Sequence, residues 1–302
     1  MPELVKVKIN GQEFETPKGT LLIEAARQNG IEIPAFCYYE GFSLQAACRM
    51  CLVEVDGTPK LQVGCTLPVD VNRDGTPMVV HTESDKVKSA RKGTLEMLLT
   101  NHPLDCPVCD KGGECELQDM VFRYGAGESR YTERKVHTPE KQWSPVVFFD
   151  APRCILCYRC VRACNEGMGV GALGIGNRGV VAEIIPNKHD HLECDECGAC
   201  IDICPVGALT SGIYRYQTRP WEMNHVGTIC THCGDGCRTT LGVRDGEIMR
   251  GNNRDRSGIN DEFLCVKGRY GYDFVHHPDR LQSPMLKSSG GFEPISGPKR
   301  SR

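Results

Sequence analysis

Nineteen cysteines in 302 residues constrain this chain more than any other feature of its sequence. Thiols packed singly in a core do not reach that density, and an odd number cannot pair completely into disulfides. The N-terminus, Met1-Pro2-Glu3-Leu4-Val5-Lys6, carries charges where a secretory signal has an apolar core. Such a chain is expected in a reducing compartment, where disulfides are rare. Ligation of metal ions or inorganic clusters is therefore the favoured reading.

The spacings sharpen it. Cys37, Cys48, Cys51 and Cys65 form C-x10-C-x2-C-x13-C, and His102, Cys106, Cys109 and Cys115 form H-x3-C-x2-C-x5-C. Cys154, Cys157, Cys160 and Cys164 form C-x2-C-x2-C-x3-C. Cys194, Cys197, Cys200 and Cys204 repeat it 40 residues later and are followed by Pro205. Cys230, Cys233, Cys237 and Cys265 form C-x2-C-x3-C-x27-C. Every cysteine is used, and His102 completes 20 candidate ligands, five sets of four.

The rest of the composition excludes several classes. Lys and Arg total 36 against 39 Asp and Glu, a net charge of −3. That balance offers neither a basic footprint for nucleic acid nor a polybasic membrane patch. No apolar run approaches the ~18 residues of a spanning helix. G-x-x-x-x-G-K-S/T is absent, and the two overlapping G-x-G-x-x-G runs, Gly169 to Gly174 and Gly174 to Gly179, lie between the two cysteine runs amid glycines that do not favour the helix such a fingerprint opens. No nucleophile–base arrangement stands out, so no catalytic residue is assigned.

Residues 1–82 read as a small mixed sheet with one helix. Val5, Val7 and Ile9 alternate with lysines, Asn10-Gly11 signals a hairpin turn, and a helix is expected from Thr20 to Asn29 with Gly30 as its stop. A ligand loop then runs into a strand at Leu52 to Val55. This segment resembles a plant-type ferredoxin domain carrying a 2Fe–2S cluster. It departs from the usual C-x4-C-x2-C spacing, and its ten-residue gap resembles the form in respiratory complex I and NAD-linked hydrogenases. Four thiolates also suit tetrahedral zinc, which stays open as an alternative.

Residues 83–125 begin with a helix expected over Asp85 to Thr100, with Val87, Ala90, Leu95, Leu98 and Leu99 buried and Pro103 blocking its continuation. Gly112-Gly113 is expected to let the backbone pass close to an inorganic core. The His102 set resembles the 4Fe–4S site with one histidine and three cysteines in complex I and hydrogenase electron-transfer subunits. An imidazole in place of a thiolate removes one negative charge, as in Rieske centres, where it raises the potential.

A linker is expected over residues 126–145, then a repeat-containing unit at 146–222. The repeat resembles two-cluster ferredoxins, in which the fourth cysteine of each run ligates the other run's cluster. That resemblance implies one 4Fe–4S cluster on Cys154, Cys157, Cys160 and Cys204, and a second on Cys194, Cys197, Cys200 and Cys164. Asn165 stands where the second run has Pro205. The Cys230 set, within residues 223–280, resembles the 4Fe–4S entry domain of molybdopterin oxidoreductases. By that resemblance Lys267 is either on an electron path or a solvated lysine, and His232 is a neighbour of the site rather than a ligand. Residues 281–302 are expected to be a flexible or truncated end.

The order of motifs over residues 1–280 resembles the G-subunit family of bacterial complex I, the NADH–quinone oxidoreductase. The implied fold is α+β: a β-grasp 2Fe–2S ferredoxin-like domain, a helical 4Fe–4S domain, a two-cluster ferredoxin domain and a molybdopterin-type 4Fe–4S domain. The implied role is an electron wire without a catalytic site of its own, inside an NADH dehydrogenase complex. Its implied partners are a flavin- and NADH-binding subunit and further peripheral-arm subunits, with no nucleic acid and membrane contact only through partners. The implied location is the cytoplasmic side of the bacterial inner membrane. The second central set instead resembles NAD-linked formate dehydrogenases and iron hydrogenases. A structural zinc protein acting as an interaction module is a third reading. Metal analysis separates it, since one 2Fe–2S and four 4Fe–4S clusters require about 18 iron atoms per chain. Anaerobically prepared protein is expected to reach that content and be brown. Colourless protein rich in zinc would reverse the assignment.

Overall fold

The computed structural model describes residues 2–296; the last residues of the expected flexible end, 297–302, lie outside them. Strand β1 (Leu4–Ile9) buries Val5, Val7 and Ile9 on one face, as its alternation requires. Asn10 and Gly11 both adopt left-handed φ, 49° and 87°, and turn the chain into β2 (Gln12–Pro17). Helix α1 (Leu22–Gln28) is shorter than expected by a residue or two at each end, and Gly30 at φ 73° follows it. Strands β3 (Leu52–Val55), β4 (Gln62–Val63) and β5 (Met78–His81) complete a sheet of order β2-β1-β5-β3-β4, in which β1 and β5 run parallel. Leu22, Ile23, Ala25 and Ala26 of α1 pack on Val5, Val7, Ile9, Val53 and Val80 to close this core.

Helix α2 (Asp85–Leu99) is capped by Ser84, whose Oγ accepts from the Val87 N–H at 3.4 Å. Val87 and Leu95 are buried as expected, whereas Ala90, Leu98 and Leu99 are only partly covered. Arg91 is fully buried instead. Its guanidinium donates to the carbonyls of Met50 (3.1 Å) and Leu52 (3.2 Å), to the Glu83 carboxylate (2.9 Å) and to the Tyr124 hydroxyl (3.0 Å). Tyr124 ends α3 (Glu116–Tyr124), so one arginine ties the ferredoxin loop to both helices.

The central unit contains strands β6 (Lys141–Gln142) and β7 (Val147–Phe149), helix α4 (Arg159–Arg162), strands β8 (Leu173–Gly176) and β9 (Glu183–Pro186), helix α5 (Ala199–Asp202) and strand β10 (Leu209–Ser211). Its sheets are β10-β7-β6 and the β8-β9 hairpin. The segment expected as a linker is therefore structured at its end. Strand β6 pairs with β7, and Trp143 is buried against Phe149 with ring centroids 4.3 Å apart. Trp143 shares one core with Leu95 and Leu117 of the helical unit and with Cys157, Cys160 and Cys204, so no break in packing separates the two units.

The C-terminal unit is the sheet β11 (Asn224–Ile229), β12 (Arg238–Arg244) and β13 (Glu247–Asn252), followed by helix α6 (Val266–Tyr270). The end expected to be flexible forms a hairpin of β14 (Met285–Ser288) and β15 (Gly291–Pro294). Its apolar residues are too sparse to have signalled strands, and Leu286 and Phe292 remain exposed. Among the described residues no helix is long and apolar enough to cross a membrane. Truncating Trp143 to Ala removes an aromatic side chain from the shared core, a change that costs about 3–5 kcal/mol at such sites. Thermal unfolding under anaerobic conditions is expected to show a marked drop in Tm.

Candidate metal centres

The first set gathers at the edge of the ferredoxin core, where Cys37, Cys51 and Cys65 are 0–1 % exposed. Cys48 and Cys65 donate thiol hydrogen bonds to Cys37, which holds its thiol well below the usual range. Cys51 is likewise lowered by Cys65. All four thiols thus meet in one place. The Phe36 N–H points at Cys48 Sγ from 3.3 Å.

His102 leaves the end of α2 and is 8 % exposed. Burial first, and the Arg153 charge next, push its pKa down to about 4, so the imidazole is neutral at pH 7. Its Nδ1 is buried without a hydrogen-bond partner, an arrangement that is costly unless something else occupies the lone pair or proton. A neutral, underused ring among three cysteines is the donor a metal requires. Arg153 anchors this loop by forking onto Asp105 at 2.6 and 2.7 Å and reaching Asp150 at 2.7 Å. Burial pushes Cys115 up to about 11 and also raises Cys109.

The central repeat is visible in the backbone. Leu156 and Glu196, 40 positions apart, both take left-handed φ (51° and 49°), and so do Tyr158 and Gly198 (60° and 72°). The Leu156 and Glu196 N–H groups point at the Sγ atoms of Cys154 and Cys194 from 3.5 and 3.4 Å. Helices α4 and α5 then start at equivalent positions. Charge contacts sort the thiols as the resemblance implies. Cys160 feels Cys157, Cys204 and Cys154, while Cys200 feels Cys197, Cys164 and Cys194. The two groups adjoin, since Cys200 also feels Cys204. Burial raises Cys157, to about 12, and likewise Cys160 and Cys200, so metal binding would have to displace their protons.

The last set is the most open. Cys233 and Cys265 are exposed, and Cys237 feels Cys233, Cys230 and Cys265. His232 has its Nε2 2.6 Å from the Gly271 carbonyl and stacks edge-on against Phe274, so it braces the end of α6 and is not among the thiols. Lys267 is exposed.

Two glycine expectations change. Gly113, at φ +90°, leaves room for the Trp221 ring, and Gly112 lies against Arg219 and the Cys106 carbonyl. They admit the Arg219-Pro220-Trp221 segment. Arg219 donates to the carbonyls of Cys109 (2.6 Å) and Pro107, contacts that no local sequence pattern signals. Gly207 is the position where a side chain would strike a ligand, since an added Cβ would stand 2.5 Å from Cys109 Sγ.

Among the described residues no three His, Cys, Asp or Glu side chains converge as a site for one metal ion. A cluster does not need three protein ligands at one ion, since each iron of a 4Fe–4S cluster takes one protein ligand and each iron of a 2Fe–2S cluster takes two. Similarity to known proteins identifies the chemistry. Residues 3–85 match a 2Fe–2S iron–sulfur cluster binding domain, and residues 91–130 match the NADH-ubiquinone oxidoreductase-G iron–sulfur binding region. Residues 144–210 match the ferredoxin-like domain of NADH-quinone oxidoreductase subunit 3, and residues 223–277 match the molybdopterin oxidoreductase Fe4S4 domain. The chain is thus an iron–sulfur protein with domains of both the 2Fe–2S and the 4Fe–4S type.

It is 46 % identical over 295 residues to the NADH-quinone oxidoreductase G subunit numbered 2 of Rhizobium meliloti, covering 97 % of this chain and 34 % of that protein. It is 41 % identical over 300 residues to the corresponding G subunit of Streptomyces coelicolor, covering 98 % and 35 %. A solved NAD+-reducing [NiFe]-hydrogenase in the H2-reduced state superposes with a TM-score of 0.64 at 28 % identity, over 70 % of this chain and 89 % of that one. Over nearly its whole length the chain is similar to G subunits of NADH-quinone oxidoreductase. It spans about a third of these two curated relatives. A Gly207→Ala variant is expected to lose the spectroscopic signal of the His102 set by displacing Cys109. The signals of the other sets should survive, as electron paramagnetic resonance of the dithionite-reduced protein will read out.

Proposed function

We propose that this chain is an iron–sulfur electron-transfer subunit that carries single electrons from an NADH-reduced flavoprotein towards quinone, in an oxidoreductase of the complex I type. The observation that carries the reading is the spacing of all 20 candidate ligands along the sequence in five sets of four, in a chain 46 % identical to a G subunit of NADH-quinone oxidoreductase. In this reading Cys37, Cys48, Cys51 and Cys65 hold a 2Fe–2S cluster. Four 4Fe–4S clusters are held by His102 with Cys106, Cys109 and Cys115; by Cys154, Cys157, Cys160 and Cys204; by Cys164, Cys194, Cys197 and Cys200; and by Cys230, Cys233, Cys237 and Cys265.

When bound, such clusters accept and release one electron at a time. The chain's own contribution is to hold and insulate them. The backbone N–H groups of Phe36, Leu156, Ala172 and Glu196 point at ligand sulfurs and would stabilise thiolate charge. The neutral His102 would lower the negative charge of its set by one. Hydride chemistry needs a flavin or nicotinamide, which in this reading a partner protein supplies. Further peripheral-arm subunits would take the electrons onward at the cytoplasmic face of the bacterial inner membrane.

A second reading is the electron-transfer subunit of an NAD-linked hydrogenase or formate dehydrogenase. The Cys164 set and the superposition on an NAD+-reducing hydrogenase favour it. Native purification discriminates. Copurification with a flavoprotein and quinone-reducing subunits, and NADH-dependent quinone reduction, are expected. A complex containing a formate- or hydrogen-oxidising component and no quinone-reducing one would favour the second reading. The isolated polypeptide is expected to reduce no dye with formate.

A further inference from the structure

We propose that Arg162 is a positioning residue shared by two of the clusters, which it joins through their ligands' peptide groups and whose reduction potentials it raises together. The inference rests on the ligand sets proposed above. Arg162 ends α4 and is 5 % exposed. Its Nη2 donates both to the Cys37 carbonyl, in the ferredoxin domain, and to the Cys157 carbonyl at 3.3 Å, in the central unit. Its Nη1 donates to the Ser43 carbonyl at 2.7 Å, and Nε lies 3.4 Å from the Tyr158 carbonyl. One nitrogen thus touches a proposed ligand residue of the Cys37 set and one of the Cys154 set.

The electrostatics single this arginine out. Every acceptor it meets is a neutral carbonyl, and among the described residues no carboxylate pairs with it. The neighbouring arginines differ, for Arg153 pairs with Asp105 and Asp150 and Arg159 with Glu116. Glu166 feels the Arg162 charge, yet its oxygens are engaged by the Ser43 N–H (2.8 Å) and Oγ (2.5 Å). A buried guanidinium without a counter-ion is strongly unfavourable. Thiolate-bound clusters on both sides supply the missing negative charge. A fixed positive charge favours the more negative, reduced state of each, and so raises both potentials.

Arg219 and Arg269 reach the carbonyls of Cys109 and Cys197 in the same manner, also across unit boundaries. Arg269 is balanced by Asp202 at 2.7 Å, and neither arginine touches two ligand residues. Arg162 alone among these three combines both features.

Anaerobic redox titration of the full chain, followed by electron paramagnetic resonance with iron content measured in parallel, tests this. In R162Q, the reduced-to-oxidised ratio at fixed potential is expected to fall about tenfold at both the Cys37 and the Cys154 sets, 59 mV for one electron. The Cys230 set should not move. R162K keeps the charge but not the planar fork, and a smaller shift of about threefold in the same direction at both sets is expected. Where R162Q assembles no clusters, the paired shift in R162K decides. Unmoved potentials with full iron content, or a shift at only one set, would overturn the role of Arg162. Wild-type protein lacking the two signals would instead overturn the cluster assignment beneath it.

Discussion

Burying thiols that must give up their protons to bind metal is the constraint on which this architecture turns. The central core is built partly from candidate ligands, with Cys157, Cys160 and Cys204 packed among Trp143, Leu95, Leu117 and Phe149. In such surroundings the bare thiols of Cys157 and Cys160 are held in their protonated form. Metal binding replaces those protons, so site assembly and completion of the core become one process. Removing a ligand here therefore damages packing as well as coordination.

Charge compensation follows the same logic at the unit boundaries. Arg91, Arg153, Arg159, Arg219 and Arg269 each cross from one unit to another, and they end on carboxylates or on peptide carbonyls near the thiols. A guanidinium offers five donors in a fixed fork, which suits it to tie several acceptors at once. The units are held in register by these directed contacts as well as by apolar packing. That is economical in a chain whose core space is largely taken up by ligand loops.

The candidate sites were largely legible in the sequence because ligand spacing is local. The crossed grouping of Cys164 with Cys194, Cys197 and Cys200 is carried over from the resemblance of the repeat to two-cluster ferredoxins, and Cys164, Cys194 and Cys197 all lie close enough to Cys200 to influence its thiol. Strands β1 and β2 and helices α1 and α2 were legible for the same local reasons. What escaped were long-range polar contacts. Arg91 stands midway between Val87 and Leu95 on the apolar face of α2, but the partners that let its charge be buried there lie 8 to 41 residues away. Gly112-Gly113 signalled a close approach, but not that Arg219 and Trp221 would be the visitors. Strand β6 and the β14-β15 hairpin are too short or too polar for periodicity to reveal.

The matched backbone of the two central loops carries a further implication. Because Leu156 and Glu196, and Tyr158 and Gly198, share their turn conformations across the duplication, each half could retain its path while its side chains diverge. Glycine tolerates that left-handed bend without strain, whereas tyrosine adopts it at a cost. Yet a Cβ at Gly198 would collide with Tyr270 Oη and stand 2.7 Å from Arg269 Cδ, so the half bearing Gly198 is held to glycine by its neighbours, while the half bearing Tyr158 carries a side chain in the same bend.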